Sequence, residues 1–126
     1  LEKARKWRRM LGGGMRQVGI IAAPGIIALT KMVDRLVDDH ANAKLLEEGL
    51  RKINGIKILK PVRTNMVYID IGGLGWTGVD WSDACAKIGW KSRGRKTSLR
   101  MVTHYGIERE DIEAFLDGIT AAAPKI

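Results

Sequence analysis

The apolar residues change period partway along the chain, and that change limits the fold more than any other feature. From Pro24 onward, Ile26, Leu29, Val33, Leu36, His40, Ala43, Leu46, Leu50 and Ile53 recur every three or four residues. That is the spacing of one helix face. Pro24 suits a first helical turn, where its missing N–H costs nothing, so the spacing predicts one long helix over 24–53. Glu47 with Arg51 and Glu48 with Lys52 add favourable pairs one turn apart on its wet side. Asn54-Gly55 is a stop signal. Beyond it the period becomes two. Ile56 and Ile58 mark a short strand ending at Pro61, and over 64–71 Val67, Ile69 and Ile71 alternate with Met66 and Tyr68.

The flanking segments fill in the plan. Residues 1–11 read as a basic helix that Gly12-Gly13-Gly14 breaks, and Met15 to Ala23 resumes an apolar helical stretch. Gly72, Gly73, Gly75 and Gly78 mark a loop. Asp80 is placed to cap a helix running to about Ile88, with Trp81, Ala84, Cys85 and Ile88 on its buried side. Trp90 to Arg93 and Thr97 to Val102 read as two strands joined by the basic turn Gly94-Arg95-Lys96. Glu108, Glu110 and Asp111 favour the start of a last helix, whose buried face is Ile112, Phe115, Leu116 and Ile119. The predicted class is α+β: a small antiparallel sheet backed by helices and preceded by the long helix.

Charge and motifs narrow the function. With 22 Lys and Arg against 14 acids, the net charge is +8. Such a balance speaks of anionic partners and not of fold. Cys85 is the only cysteine, which excludes an internal disulfide and a four-cysteine zinc site. His40 and His104 lack companions at ligand spacing, so no metal site is expected. The basic start followed by an apolar run resembles a secretory signal, but Pro24 interrupts it and no cleavage site follows; a membrane span is not expected either. Gly73-Leu74-Gly75-Trp76-Thr77-Gly78 has the glycine spacing of a dinucleotide loop but lacks the acid about 20 residues on, so a plain turn is expected. Lys3 to Arg9 and Lys91, Arg93, Arg95, Lys96 are basic clusters near Trp7, Trp90 and Tyr105. These allow a polyanion-binding module as an alternative, although no nucleic-acid fold signature accompanies them.

Two arginines carry more. Arg16 follows the triple glycine at an expected helix start, where backbone N–H groups and a guanidinium would attract an anion. Arg100 sits in a strand, sharing a side with Val102 while Leu99, Met101 and Thr103 take the other. An arginine there calls for a partner: either an internal acid or a ligand's carboxylate.

The run Ala4-Arg5-Lys6-Trp7-Arg8-Arg9-Met10-Leu11-Gly12-Gly13-Gly14-Met15-Arg16-Gln17 resembles the corresponding stretch of low-specificity L-threonine aldolases. So do Asp39-His40-Ala41-Asn42-Ala43, Thr64-Asn65-Met66-Val67 and Leu99-Arg100-Met101-Val102-Thr103-His104, in the family's order. The resemblance implies a fold-type I, pyridoxal 5'-phosphate (PLP)-dependent lyase that cleaves L-threonine or L-allo-threonine to glycine and acetaldehyde. It implies a cytoplasmic tetramer acting on a small amino acid. It covers only the family's C-terminal part. Residues 1–23 would be the end of the large domain and 24–126 the small C-terminal domain. The cofactor lysine would lie upstream, so no catalytic residue is assigned here and the isolated chain is expected to be inactive. Its partner would be the remaining N-terminal part of the enzyme. By the same resemblance Arg100 holds the substrate's α-carboxylate, and Arg16, with Arg9, lies at the active-site edge near the cofactor phosphate. A different PLP-dependent lyase on the same scaffold is the second reading. If the rest of an enzyme is missing, Val18, Ile20, Ile21, Ile26 and Ile27 should form an exposed apolar patch.

Overall fold

A computed structural model describes residues 1–94 and 96–125. The chain forms two compact units, Leu1–Arg35 and Leu36–Ile126. The unit boundary falls at Arg35, whereas the sequence reading put a domain boundary after residue 23.

The first unit holds helix α1, Glu2–Met10, and helix α2, Gly19–Lys31. Neither buries a residue. Gly12, at φ +83°, and Gly13 close α1: their N–H groups donate to the carbonyls of Arg9 and Arg8. The triple glycine therefore ends a helix and does not begin one. Pro24 lies inside α2, where its ring forfeits one backbone bond. The expected apolar patch is present, with Ile20 at 78% and Ile21 and Ile26 both at 63% exposure.

The long helix predicted over 24–53 is two helices. α2 ends at Lys31, and α3 runs Leu36–Leu50. The charges suit the division: Lys31 occupies the last turn of α2, while Asp38 and Asp39 occupy the first turn of α3, each where the helix dipole favours it. The apolar stripe divides with it. Ala43, Leu46, Leu50 and Ile53 are core, whereas Ile26, Leu29, Val33 and Leu36 are exposed.

The second unit is α+β, as expected. Strands β1 (Lys57–Ile58), β2 (Met66–Asp70) and β3 (Ser98–Val102) form an antiparallel sheet in the order β1-β2-β3. Val67, Ile69 and Ile71 are fully buried while Met66 and Tyr68 are only half so, the alternation the sequence showed. α3 packs on β2 and on helix α5, Arg109–Ala122, whose Ile112, Phe115 and Ile119 are core. Helix α4, Gly78–Lys87, adds Trp81, Ala84 and Cys85. The rings of Trp81 and Phe115 meet edge to face at 6.2 Å, and those of Trp90 and Phe115 at 5.3 Å. Contacts of this geometry contribute beyond simple area burial.

Three local readings change. Asp80 is not the α4 cap. Thr77 is, and Asp80 sits three residues in, its carboxylate accepting from the Thr77 N–H and hydroxyl, both at 2.7 Å. The glycine-rich segment is a turn, and its spacing serves packing: a Cβ at Gly73 would lie 2.7 Å from the Gly55 carbonyl oxygen. Finally, Trp90 to Arg93 is not a strand. Its hydrogen bonds go to α4 instead of a ladder. The Trp90 N–H donates to the Cys85 carbonyl at 2.9 Å, Trp81 Nε1 to Ser92 Oγ at 3.1 Å, and the Gly94 N–H to Ser82 Oγ at 3.1 Å. Of the basic turn after it, Arg95 lies outside the described residues.

Candidate functional site

Because Trp90 to Arg93 does not pair with β3, β3 is an edge strand, and a cleft of about 340 Å³ opens beside it. Ligand pockets start near this size. Leu46, Ile107, Ile112 and Phe115 give the cleft an apolar wall. Trp90 to Arg93 and Arg100 to His104 supply the rest of its lining.

Arg100 lies on β3 directly across from Tyr68 of β2. As the alternation predicted, Arg100 and Val102 are exposed, Leu99 and Thr103 are buried, and Met101 is half-buried. Among the described residues, the Arg100 side chain has neither an ion-pair nor a hydrogen-bond partner. Among the described residues, no acid lines the cleft. Asp70, one register step beyond the Ile69–Leu99 pair, accepts from the Gly72 N–H at 2.7 Å and the Thr97 hydroxyl at 3.1 Å, so its carboxylate is engaged in closing the sheet end. Of the two sequence readings for Arg100, an internal acid or a ligand's anion, no acid stands beside it among the described residues, and its side chain is open to solvent.

The frame that holds this strand end is polar and was not singled out from sequence. Thr103 Oγ1 donates to the Asp39 carbonyl at 2.6 Å. Asn65 Nδ2 donates to the Thr103 carbonyl at 2.7 Å, and the Thr103 N–H returns a bond to the Asn65 carbonyl at 3.0 Å. Asn42 Nδ2 donates to the Ile107 carbonyl at 2.9 Å. Three of the motif segments quoted above thus meet in one network. The signal was a small polar residue at a position whose neighbours read as core.

Arg9 and Arg16 lie in the other unit. Arg9 shares a shallow groove along α1 with Arg5, Lys6 and Arg8. Arg16 is exposed in the turn before Gly19, so it does not stand at the first turn of α2 as the sequence suggested. Trp90 is half-buried, packs edge to face on Phe115 and lines the cleft. Burial raises the Cys85 thiol pKa to about 11, which fits a packing role. Among the described residues no cluster of His, Cys, Asp and Glu could hold a metal, and no helix is long and apolar enough to cross a membrane.

Residues 1–72 match the family model described as Beta-eliminating lyase. The chain belongs to this family. Its relatives include low-specificity L-threonine aldolase 1 of Arabidopsis thaliana, 36% identical over 115 residues, covering 89% of this chain and 32% of that protein. The low specificity L-threonine aldolase of Escherichia coli (strain K12) is 36% identical over 118 residues, with the same coverage of each. Alanine racemase TOXG of Cochliobolus carbonum is 31% identical over 126 residues, covering 93% of this chain and 31% of that protein. The chain spans about a third of the length of the curated relatives it matches.

Proposed function

We propose that this chain is the C-terminal portion of a PLP-dependent aldolase cleaving L-threonine or L-allo-threonine, and that Arg100 binds the substrate's α-carboxylate. The observation that carries the reading is the unpartnered guanidinium at the edge of an acid-free cleft, in a chain of this family. A guanidinium fork matches a carboxylate with two parallel hydrogen bonds. Gripping that group fixes how the amino acid's remaining substituents are turned, which is the orientation a bond-cleaving site needs. The cleft's donor set, cationic and without acids, fits the amino-acid end of such a site. When bound, the cofactor supplies the sink for the electrons of the breaking bond. Arg16, with Arg9, would stand near its phosphate. In the same reading residues 1–23 end the large domain, residues 24–126 form the small domain, and the complete enzyme is a cytoplasmic tetramer.

The test is kinetic. In the complete enzyme that carries this chain, Arg100→Lys should cost roughly 2–5 kcal/mol in kcat/KM for threonine, the usual loss when one member of a hydrogen-bonded charge pair is spoiled. Near wild-type kcat/KM would remove Arg100 from the role. The match to a protein named alanine racemase favours a second reading, in which the scaffold handles an amino acid without cleaving it. Product analysis separates the two: glycine and acetaldehyde from threonine, or loss of optical rotation from alanine.

A further inference from the structure

We propose that Thr103, Asn65 and Asn42 are positioning residues for the cleft: they tie the end of β3 to α3 and so set where Arg100 stands. This deepens the reading above and rests on it for what Arg100 binds.

β3 is secured unevenly. Its ladder to β2 covers one side, and among the described residues no strand pairs with the other. A strand bonded along one edge keeps its register but is free to fray at its end. Arg100 lies two residues from that end. Beyond it, Thr103, His104 and Ile107 continue the cleft lining.

Side-chain bonds take up that freedom. Thr103 Oγ1 donates to the Asp39 carbonyl at 2.6 Å, and Asn65 Nδ2 donates to the Thr103 carbonyl at 2.7 Å. Asn42 Nδ2 donates to the Ile107 carbonyl at 2.9 Å, and the Ile107 N–H closes the turn onto the His104 carbonyl at 3.0 Å. Asp39 and Asn42 stand three residues apart on α3, so they share a face of that helix. The same helix supplies Leu46 to the cleft lining. One element therefore both walls the cleft and anchors the segment that carries its polar groups.

Stability alone does not account for a threonine at 103. The side chain is buried, at 1% exposure, in the core-facing phase of β3 with Leu99. Valine has nearly the same shape, suits a strand and buries no hydroxyl. The Asp39 carbonyl is also engaged within α3, so it does not require the hydroxyl. What the hydroxyl adds is direction. Its bond fixes the strand end to one point of a helix, whereas apolar packing alone tolerates a small slide. A binding group has to be held to within about 0.5 Å by such supporting bonds.

The test uses the complete enzyme that carries this chain, with threonine as substrate. Thr103→Val, Asn65→Ala and Asn42→Ala should each raise KM about tenfold with kcat little changed, within the loss that an ångström-scale displacement brings. Each deletes a different tie, so the outcome does not hang on one variant folding. Thr103→Ser keeps the hydroxyl and should stay near the wild-type KM. Thr77→Ala weakens the start of α4 instead and should leave KM alone. A double-mutant cycle asks whether the ties act through Arg100: in an Arg100→Lys background, Thr103→Val should add less than about twofold. Deuterium uptake in Thr103→Val should rise over residues 100–107 and not in β1. Unchanged KM in all three variants overturns the proposal. So does an effect that persists undiminished beside Arg100→Lys, a KM that rises as much in Thr77→Ala, or uptake raised equally across the sheet. The two readings fail separately. Near wild-type kcat/KM for Arg100→Lys removes the carboxylate role, whereas an impaired Arg100→Lys beside unimpaired Thr103, Asn65 and Asn42 variants removes only the positioning.

Discussion

At the scale of single residues, burial decides what each group can do. Cys85 is fully buried on α4. Its thiol is pushed up to about 11 from an ordinary 9.0 because the thiolate would lose its hydration. Near pH 8 the native protein should therefore hold about a hundredfold less thiolate than the unfolded chain, two pKa units being that ratio. Alkylation by iodoacetamide should be slow until denaturant is added; rapid labelling of the native chain would contradict the burial. The same shift has a consequence for stability. A raised pKa in the folded state contributes fully below pH 9 and is lost as the pH rises through 11. Cys85→Ala should flatten the fall of denaturation midpoint over that range. Arg100 shows what sequence can carry: alternation placed it opposite the core face, but only the absence of acids from the cleft removes the internal salt bridge as its explanation.

At the scale of elements, ends and edges matter most. The Thr77 hydroxyl and N–H hold the Asp80 carboxyl below its usual 3.8. A lowered carboxyl pKa stabilises the fold above pH 3.8 and ceases to do so as the pH falls through the folded value. Asp80→Asn should thus be less stable than wild type at pH 6, with the gap closing toward pH 3 in urea melts. Thr77→Ala should cost about 1 kcal/mol, as for other helix caps. The end of β3 depends on Thr103, whose buried hydroxyl reaches the Asp39 carbonyl. Thr103→Val would remove that bond from a carbonyl that α3 also engages, and should cost about 1 kcal/mol by chemical denaturation. If Thr103 also sets the position of β3, the variant in the complete enzyme should raise KM for the amino acid. Trp90 to Arg93 was misread as a strand because its composition and length suit one. Its bonds go to Trp81, Ser82 and Cys85 of the preceding helix, and strand propensity does not register them.

At the scale of the whole molecule, the two units differ in what they bury. No residue of α1 or α2 is buried, whereas α3, α5 and the sheet share one apolar core. Amide protons of α1 and α2 should therefore exchange much faster than those of β2 and α5, since local opening exposes little new apolar surface there. Equal protection in the two units would refute this. The exposed side chains of Ile20, Ile21 and Ile26 should bind a hydrophobic dye, and Ile20→Lys with Ile26→Lys should reduce the signal without moving the melting midpoint of the second unit.

Local periodicity sufficed for the class, for the core faces of β2 and α5, and for the placement of Arg100, because side chains repeat at two or 3.6 residues wherever one face is buried. It also showed where the triple glycine breaks a helix. It did not reveal that the stripe of 26–53 belongs to two helices, since a continuous apolar face reads the same whether one core or two surfaces cover it. The cleft was illegible for a similar reason. It exists because Trp90 to Arg93 bonds to α4 and leaves β3 unpaired on one side, and that choice is settled by hydrogen bonds back to the preceding helix, which an alternation of apolar and polar residues does not encode.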